Sequence, residues 1–352
     1  MVTRNAKKRY NNASCVTVKG VDFMIEFYKT EVGEPDSEGT MPEHLITRKV
    51  DAPEAGCWVS VVAPDADDRR YLQDEMGIEP EFVRSSLDDE ETSHIDYDDD
   101  TGQVLVIVDC PFVESDRDSV DEEIVQYDTH PLSLIFLPER NILVTVSLKE
   151  SETVNAFAQG KIRNFNTCQR TRVLLQMLLH ISQRYLVCLR SINRQFRENE
   201  RRLRLTMRND ELIKMLGFEK SLVYFSTSLK STEATLNKIG YGRILRLYDD
   251  DRELLDDVSI EMTQAIEMCS TYSGILNGTM DAFGNIINNN MNITMRTLAI
   301  LTLVLSIPNM VYGFYGMNTP LPLDHTWGFA FGLSVVATLT ATVLLMRSSF
   351  MR

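Results

Sequence analysis

Apolar and polar positions alternate in three distinct textures along this 352-residue chain. From about Gly56 to Leu148 the apolar positions come in short β-rich runs, CWVSVVA, QVLVIVDCPFV and LSLIFLPERNILVTVSL, separated by turn residues. Pro138 to Asn141 reads as a hairpin turn between two strands. Between the first two runs, DADDRRYLQDEMG has helical spacing, with Asp65 placed as an N-cap and Gly77 as a C-cap. An α/β domain follows from these elements. From about Glu150 to Arg296 proline is absent and the spacing is helical, with breaks expected near Asn209 and Gly240 to Gly242. The third texture is largely apolar and uncharged: 19 residues from Thr297 to Tyr315, and 20 from Trp327 to Met346, carry no charge. Each matches the ~20 residues that cross ~30 Å of hydrocarbon. Two membrane spans fit them better than two buried helices of a soluble protein.

The expected organisation is an N-terminal arm (1–43), a cytosolic α/β domain (44–160), a helical hairpin (161–248), a stalk helix (249–296), a first span (297–315), an outer loop (316–326), a second span (327–346) and a basic tail (347–352). Arg296 precedes the first span, and Arg347 and Arg352 follow the second, whereas 316–326 holds no Lys or Arg. Positive charge stays on the cytoplasmic side. Both termini are therefore expected in the cytoplasm, in a multi-pass protein of the cell (inner) membrane.

Steps of four and three from Asp281 meet Asn285, Asn288, Asn292, Met295, Ala299, Thr302, Ser306, Asn309 and Gly313. A seam with this repeat is ordinarily the apolar seam of a coiled coil. Here it is mostly polar or small. Continued backward it passes Gly278, Gly274, Thr271, Glu267, Gln264, Ile260 and Asp257, while a neighbouring face carries Met280, Phe283, Ile287, Met291, Leu298, Leu301 and Leu305. Thr302, Ser306 and Asn309 facing lipid without partners would cost roughly 2–7 kcal/mol each. They either glue packed helices together or line water. An asparagine ladder that continues beyond the span favours water, and two spans per chain cannot enclose a wet axis. A ring of several subunits is required. Met295 and Leu298, where the helix enters hydrocarbon, are candidates for a gate that closes by dewetting.

Composition narrows the partners. A formal charge of −15 argues against nucleic acid, which is held through Lys and Arg, and fits metal cations or plain solubility. Cys15, Cys57, Cys110, Cys168, Cys188 and Cys269 show no C-x-x-C spacing, as expected of buried thiols in a reducing compartment. Met1 to Tyr10 is basic but no apolar run follows, so no secretory signal is read there. His44, His94, His130, His180 and His325 are scattered, and no nucleophile constellation, phosphate loop or His/Cys metal spacing is present. An enzyme is not expected.

At the end of the first span, after Tyr315, stands Gly316-Met317-Asn318, which as a bare tripeptide could be a helix C-cap. In this position, before a short loop and a second span, it resembles the Gly-Met-Asn motif of the CorA family of magnesium channels. Pro308, Gly313, the stretch KSLVYFSTSL from Lys220 to Leu229, the long stalk helix and the N-terminal α/β domain are similar too. The resemblance runs from about His44 to the end and is most specific over Asp281 to Asn318. It implies a funnel-shaped homopentamer in the bilayer whose stalk and first span line the pore. Gly316 and Met317 would shape the turn, and Asn318 would form a ring that holds hydrated Mg²⁺. Neutral amides suit an ion that dehydrates reluctantly. Co²⁺ is a second expected cargo.

The family closes when cytosolic Mg²⁺ fills acidic sites between subunits. Asp257 is the expected stalk ligand, with Asp256 and Glu261 close enough to substitute. The partner acids match less well: where the family often has His-Pro and then Glu-Asp, this chain has Glu79-Pro80, Arg84 and Ser85, with Asp88, Asp89, Glu90 and Glu91 later. Asp88, Asp89 and Glu90 are the candidates, against an ordinary solvated acidic surface. The outer loop offers only Asp324 as an acid, and the turn Arg197 to Arg208 is unexpectedly basic. The competing functions are a zinc transporter of the same superfamily, against which Met317 speaks, and a non-conducting scaffold or sensor, which leaves the asparagine ladder unexplained.

Overall fold

The computed structural model describes residues 24–32, 45–114, 126–206, 209–317 and 328–350. They form two compact units, Met1–Leu276 and Asn277–Arg352. The first is built on seven strands: β1 Met24–Val32, β2 Leu45–Val50, β3 Trp58–Val62, β4 His94–Tyr97, β5 Val104–Glu114, β6 Gln126–Leu137 and β7 Ile142–Ser147. Their order is β2-β1-β3-β7-β6-β5-β4. Among the described strands only β3 and β7 run parallel, with Trp58 opposite Leu143.

Local chemistry sets these elements. The turn at Pro138 to Asn141 closes through the Asn141 N–H to the Pro138 carbonyl at 3.2 Å, and Asn141 takes the left-handed φ of 54° that asparagine tolerates. α1, Ala66–Arg70, opens on a capping box: the Asp65 carboxylate accepts the amides of Asp67 and Asp68 at 2.9 and 2.8 Å, and Asp68 accepts that of Asp65. A π-helical turn, Tyr71–Glu75, continues it, and Gly77 at φ 70° ends the segment. β1 comes from the stretch expected as an arm. Its alternation, with Ile25 and Phe27 buried, places it in the sheet between β2 and β3.

The sheet is covered on both faces. On one, Val59, Val61, Ile107, Ile135, Val144 and Val146 pack against Leu72, Met76 and Ile78, and against Phe82 and Val83 of α2, Pro80–Ser85. On the other lie α3, Glu152–Ala158, and α4, Arg170–Thr206, whose buried Val173, Met177, Ile181, Tyr185, Cys188, Ile192 and Phe196 recur at helical spacing. Trp58 anchors this side, stacked on Tyr28, edge-on to Phe157 and Phe165, with its Nε1–H donated to Thr145 Oγ1 at 2.9 Å.

α5, Asn209–Gly240, meets the sheet through hydroxyls as well as apolar groups. Ser221 Oγ accepts the Tyr127 amide at 3.0 Å, Ser228 donates to Thr129 Oγ1 at 3.0 Å, and Ser93 and Thr232 share a bond of 2.9 Å. The KSLVYFSTSL stretch is thus an interface segment, with Leu222, Phe225 and Leu229 buried beside those serines. Of the described cysteines, all free, only Cys168 is exposed.

Candidate pore stripe and metal-binding residues

α6, Asp249–Tyr315, is a single helix of 67 residues, about 100 Å at 1.5 Å per residue. Its first turn is fixed by Asp251, buried, which accepts the Tyr248 amide at 3.1 Å and lies 3.8 Å from Arg172 of α4. Farther along, the Cys269 thiol donates to the Leu222 carbonyl at 3.2 Å. The break expected at Gly240 to Gly242 follows α5, where Gly242 takes φ 66°; the one expected near Asn209 adjoins residues 207 and 208, which lie outside the described residues.

In the second unit, every member of the stripe (Asp281, Asn285, Asn288, Asn292, Met295, Ala299, Thr302, Ser306, Asn309 and Gly313) is exposed in the single chain. So are Ile287, Met291, Leu298, Leu301 and Leu305 on the neighbouring face, whereas Phe283 is buried. An 18-residue stretch of α6 is apolar enough to cross a bilayer, and none of it is buried. Leaving such side chains in water would cost roughly 1.5–3 kcal/mol each. Lipid or further copies of the chain must cover them.

The hydroxyls on the stripe are satisfied within the helix. Thr302 Oγ1 donates to the Leu298 carbonyl at 2.9 Å and Ser306 Oγ to that of Thr302 at 2.8 Å. This corrects the expectation that both residues must avoid lipid: a hydroxyl bonded four residues back carries little desolvation cost. Asn285, Asn288, Asn292 and Asn309 make no side-chain hydrogen bond among the described residues, so the wet character of the face rests on these amides and Asp281.

α6 ends at Tyr315, where the Gly316 amide returns to the Tyr312 carbonyl at 2.9 Å and that of Met317 to Phe314 at 3.5 Å. A Cβ on Gly316 would meet the Tyr312 carbonyl at 3.0 Å, which accounts for glycine there. Asn318, Asp324 and the rest of 318–327 lie outside the described residues. α7, Phe329–Phe350, packs on α6 through the buried Ser334, which donates to Tyr312 Oη at 3.0 Å, and through the edge contact of Phe329 with Tyr315. Among the described residues α6 alone is long and apolar enough for a span. The apolar stretch of α7, Phe329–Leu345, is shorter, and Trp327, the start of the expected second span, is undescribed.

Asp257 is exposed on α6, and Asp88, Asp89 and Glu90 are exposed after α2. Asp88 accepts the Glu90 amide at 3.0 Å, and Asp89 lies 3.7 Å from Lys149. The cleft lined by Asp88 and Asp89 is also lined by Arg69 and Arg84, which oppose a cation. Among the described residues no three His, Cys, Asp or Glu side chains are grouped to hold a metal ion.

Two titratable groups are buried in β5 and β6: Asp109, which the sequence did not single out, and His130, which it left among scattered histidines. Burial raises the Asp109 carboxyl above its ordinary value, with hydrogen bonds from Ser228 and Ser93 opposing. His130, 1% exposed and edge-on to Phe112, is pushed down to about 4 by burial first and the Lys149 charge second. Isolated polar residues inside strands carry no periodic signal. Only the register that pairs Cys110 with His130 and Asp109 with Pro131 reveals them.

Residues 53–347 match the family model of the CorA-like Mg²⁺ transporter protein. The cobalt/magnesium transport protein CorA of Methanocaldococcus jannaschii is 25% identical over 306 residues, 83% of this chain and 90% of that one. The complete structure of the CorA magnesium transporter from the same organism superimposes with a TM-score of 0.73 at 21% identity, over 95% of this chain and 98% of that one. The ZntB cytoplasmic domain of Vibrio parahaemolyticus gives 0.55 at 12% identity, over 77% and 99%. With nearly 300 residues inside the family match, around an α/β domain, a long helix and an exposed apolar stretch, this chain belongs to the CorA family of divalent-cation transporters.

Proposed function

We propose that the chain is one subunit of a homopentameric channel that carries Mg²⁺, and Co²⁺ as a second cargo, across the cell membrane. The stripe from Asp281 to Asn309 carries this reading: four asparagine amides and a carboxylate, unpartnered and exposed, on the same helix as an apolar stretch with no cover. Like helices around an axis would turn these amides inward and the leucines outward, so that one arrangement serves both faces. Amides of this kind hydrogen-bond the water shell of Mg²⁺ without stripping it. Gly316 and Met317 hold the turn at the outer end, and Asn318 forms the first ring the ion meets. Met295 and Leu298 form the constriction that dewets when the pore is shut. Asp257 and, from a neighbouring copy, Asp88, Asp89 or Glu90 hold the cytosolic Mg²⁺ that favours closure.

The test is Mg²⁺ entry into liposomes bearing purified protein, read by an internal Mg²⁺-sensitive dye. Wild type admits Mg²⁺ and Asn318→Ala loses most of that flux. Equal flux in both would remove Asn318 from selection. Flux of Zn²⁺ but not Mg²⁺ would favour the zinc reading, and no flux of either ion the scaffold.

A further inference from the structure

The exposed face of α4 carries an arginine ladder. Arg190, Arg194, Arg197, Arg201 and Arg204 follow one another in steps of four and three, and all are exposed. That spacing keeps them on one side of the helix. Arg202, on the adjoining face, is paired with Glu198 at 3.1 Å, and Arg204 with Glu200 at 2.6 Å. Arg197 and Arg201 have no ion partner among the described residues. The last turn also holds Leu205, 78% exposed, and near the start of α5 Ile213 is 60% exposed. Cations near a helix C-terminus relieve its dipole, but one suffices for that, and dipole relief does not account for bare leucine and isoleucine.

Direction gives the tip its meaning. At the start of α4, Arg172 faces Asp251 of α6, and toward its end Ile192 and Phe196 share a cavity with Tyr272, Ile275 and Leu276. α4 and the first part of α6 therefore run parallel, and the arginine-rich end of α4 lies on the side toward which α6 runs. α6 then carries the apolar stretch suited to a bilayer. A chain of charge −15 has no general use for such a patch, whereas a cytoplasmic leaflet rich in anionic lipid attracts basic residues within a Debye length. Arginine mixed with exposed aliphatic side chains is the composition of an interfacial contact.

We propose that the α4–α5 tip, through Arg197, Arg201, Arg202, Arg204 and Leu205, contacts the anionic phospholipid headgroups around the transmembrane segments. The contact rests on the membrane reading of α6 but not on the identity of the ion or on Asn318. It ties the end of the cytosolic hairpin to the bilayer surface, so that lipid charge bears on the unit that holds Asp257.

Hydrogen–deuterium exchange of the full chain in nanodiscs tests it, comparing phosphatidylcholine alone with an equal mixture of phosphatidylcholine and phosphatidylglycerol. Amides of 198–206 and 210–216 are expected to exchange at least about fivefold more slowly in the anionic discs, the factor for about 1 kcal/mol per engaged arginine. The difference should vanish in Arg201→Gln/Arg204→Gln and in 0.5 M NaCl, while β5 and β6 exchange alike in all samples. Identical exchange in the two lipids would overturn the proposal. Protection equal in both lipids but lost in the double variant would also overturn it, and would assign the patch to an acidic face of a second copy. Failure of the chain to insert into discs would overturn this contact and the membrane reading together.

Discussion

Lowering the pH from 7.5 to 5 should weaken the cytosolic sheet through His130. Its ring lies on β6 opposite Cys110, edge-on to Phe112 at 5.2 Å between centroids, and neither nitrogen has a hydrogen-bond partner among the described residues. Lys149 stands 4.5 Å above the same Phe112 ring, so a proton on His130 would be both desolvated and repelled, with Asp89 and Asp128 opposing that effect. The folded value is depressed to about 4 from an unfolded value of 6.5. The unfolded chain therefore binds the proton first, and stability present above pH 6.5 is lost as the pH falls toward 4. Between pH 7.5 and 5 the two values give a loss of about 2 kcal/mol, and the full shift corresponds to about 3 kcal/mol. The assay is urea unfolding of detergent-solubilised protein at both pH values, followed by the fluorescence of buried Trp58 with Trp327→Phe as background, for His130 and for His130→Phe. The histidine protein should lose about 2 kcal/mol more than the phenylalanine variant. Equal losses would refute a neutral, unpartnered His130.

Two further changes probe the sheet and the proposed sensor. Thr145→Val leaves Trp58 Nε1–H buried without its 2.9 Å acceptor and should cost about 1–3 kcal/mol in the same unfolding assay, with Trp58 emission altered in the folded state; no loss would mean that another acceptor takes over. Asp257→Ala should leave Mg²⁺ flux at low internal Mg²⁺ intact and raise the internal concentration needed for closure, as read by dye-loaded liposomes; an unchanged inhibition curve would remove Asp257 from the sensor.

Legibility followed periodicity. Strands β3, β5, β6 and β7, the capped helix at Asp65 and the long helix through Asp281 repeat a signal every two or every 3.6 residues, and the turn at Asn141 is marked by its proline and asparagine; each stands where the chain implied it, whereas the four-residue β4 is too short to show a period. β1 was hidden because its polar Glu26 and Lys29 dilute the alternation, and those charges are met by Lys49 and Glu54 only once the strands pair. The stripe was legible for the same reason as the strands, but its energetics were not. A sequence shows that Thr302 and Ser306 are polar, not that their protons are already given to carbonyls one turn back. An asparagine amide has no such recourse on a helix, since its longer planar group cannot satisfy both its donors and its acceptor on its own backbone. The polarity of the stripe therefore has unequal value along its length: Thr302 and Ser306 permit water, whereas Asn285, Asn288, Asn292 and Asn309 demand it or a polar partner. Asn309 is the decisive case, because it lies within the apolar stretch, and a single-subunit helix offers its amide nothing. Several copies that share an axis supply what one chain lacks, and for that reason the amide on the span carries more weight for a pore than either hydroxyl beside it.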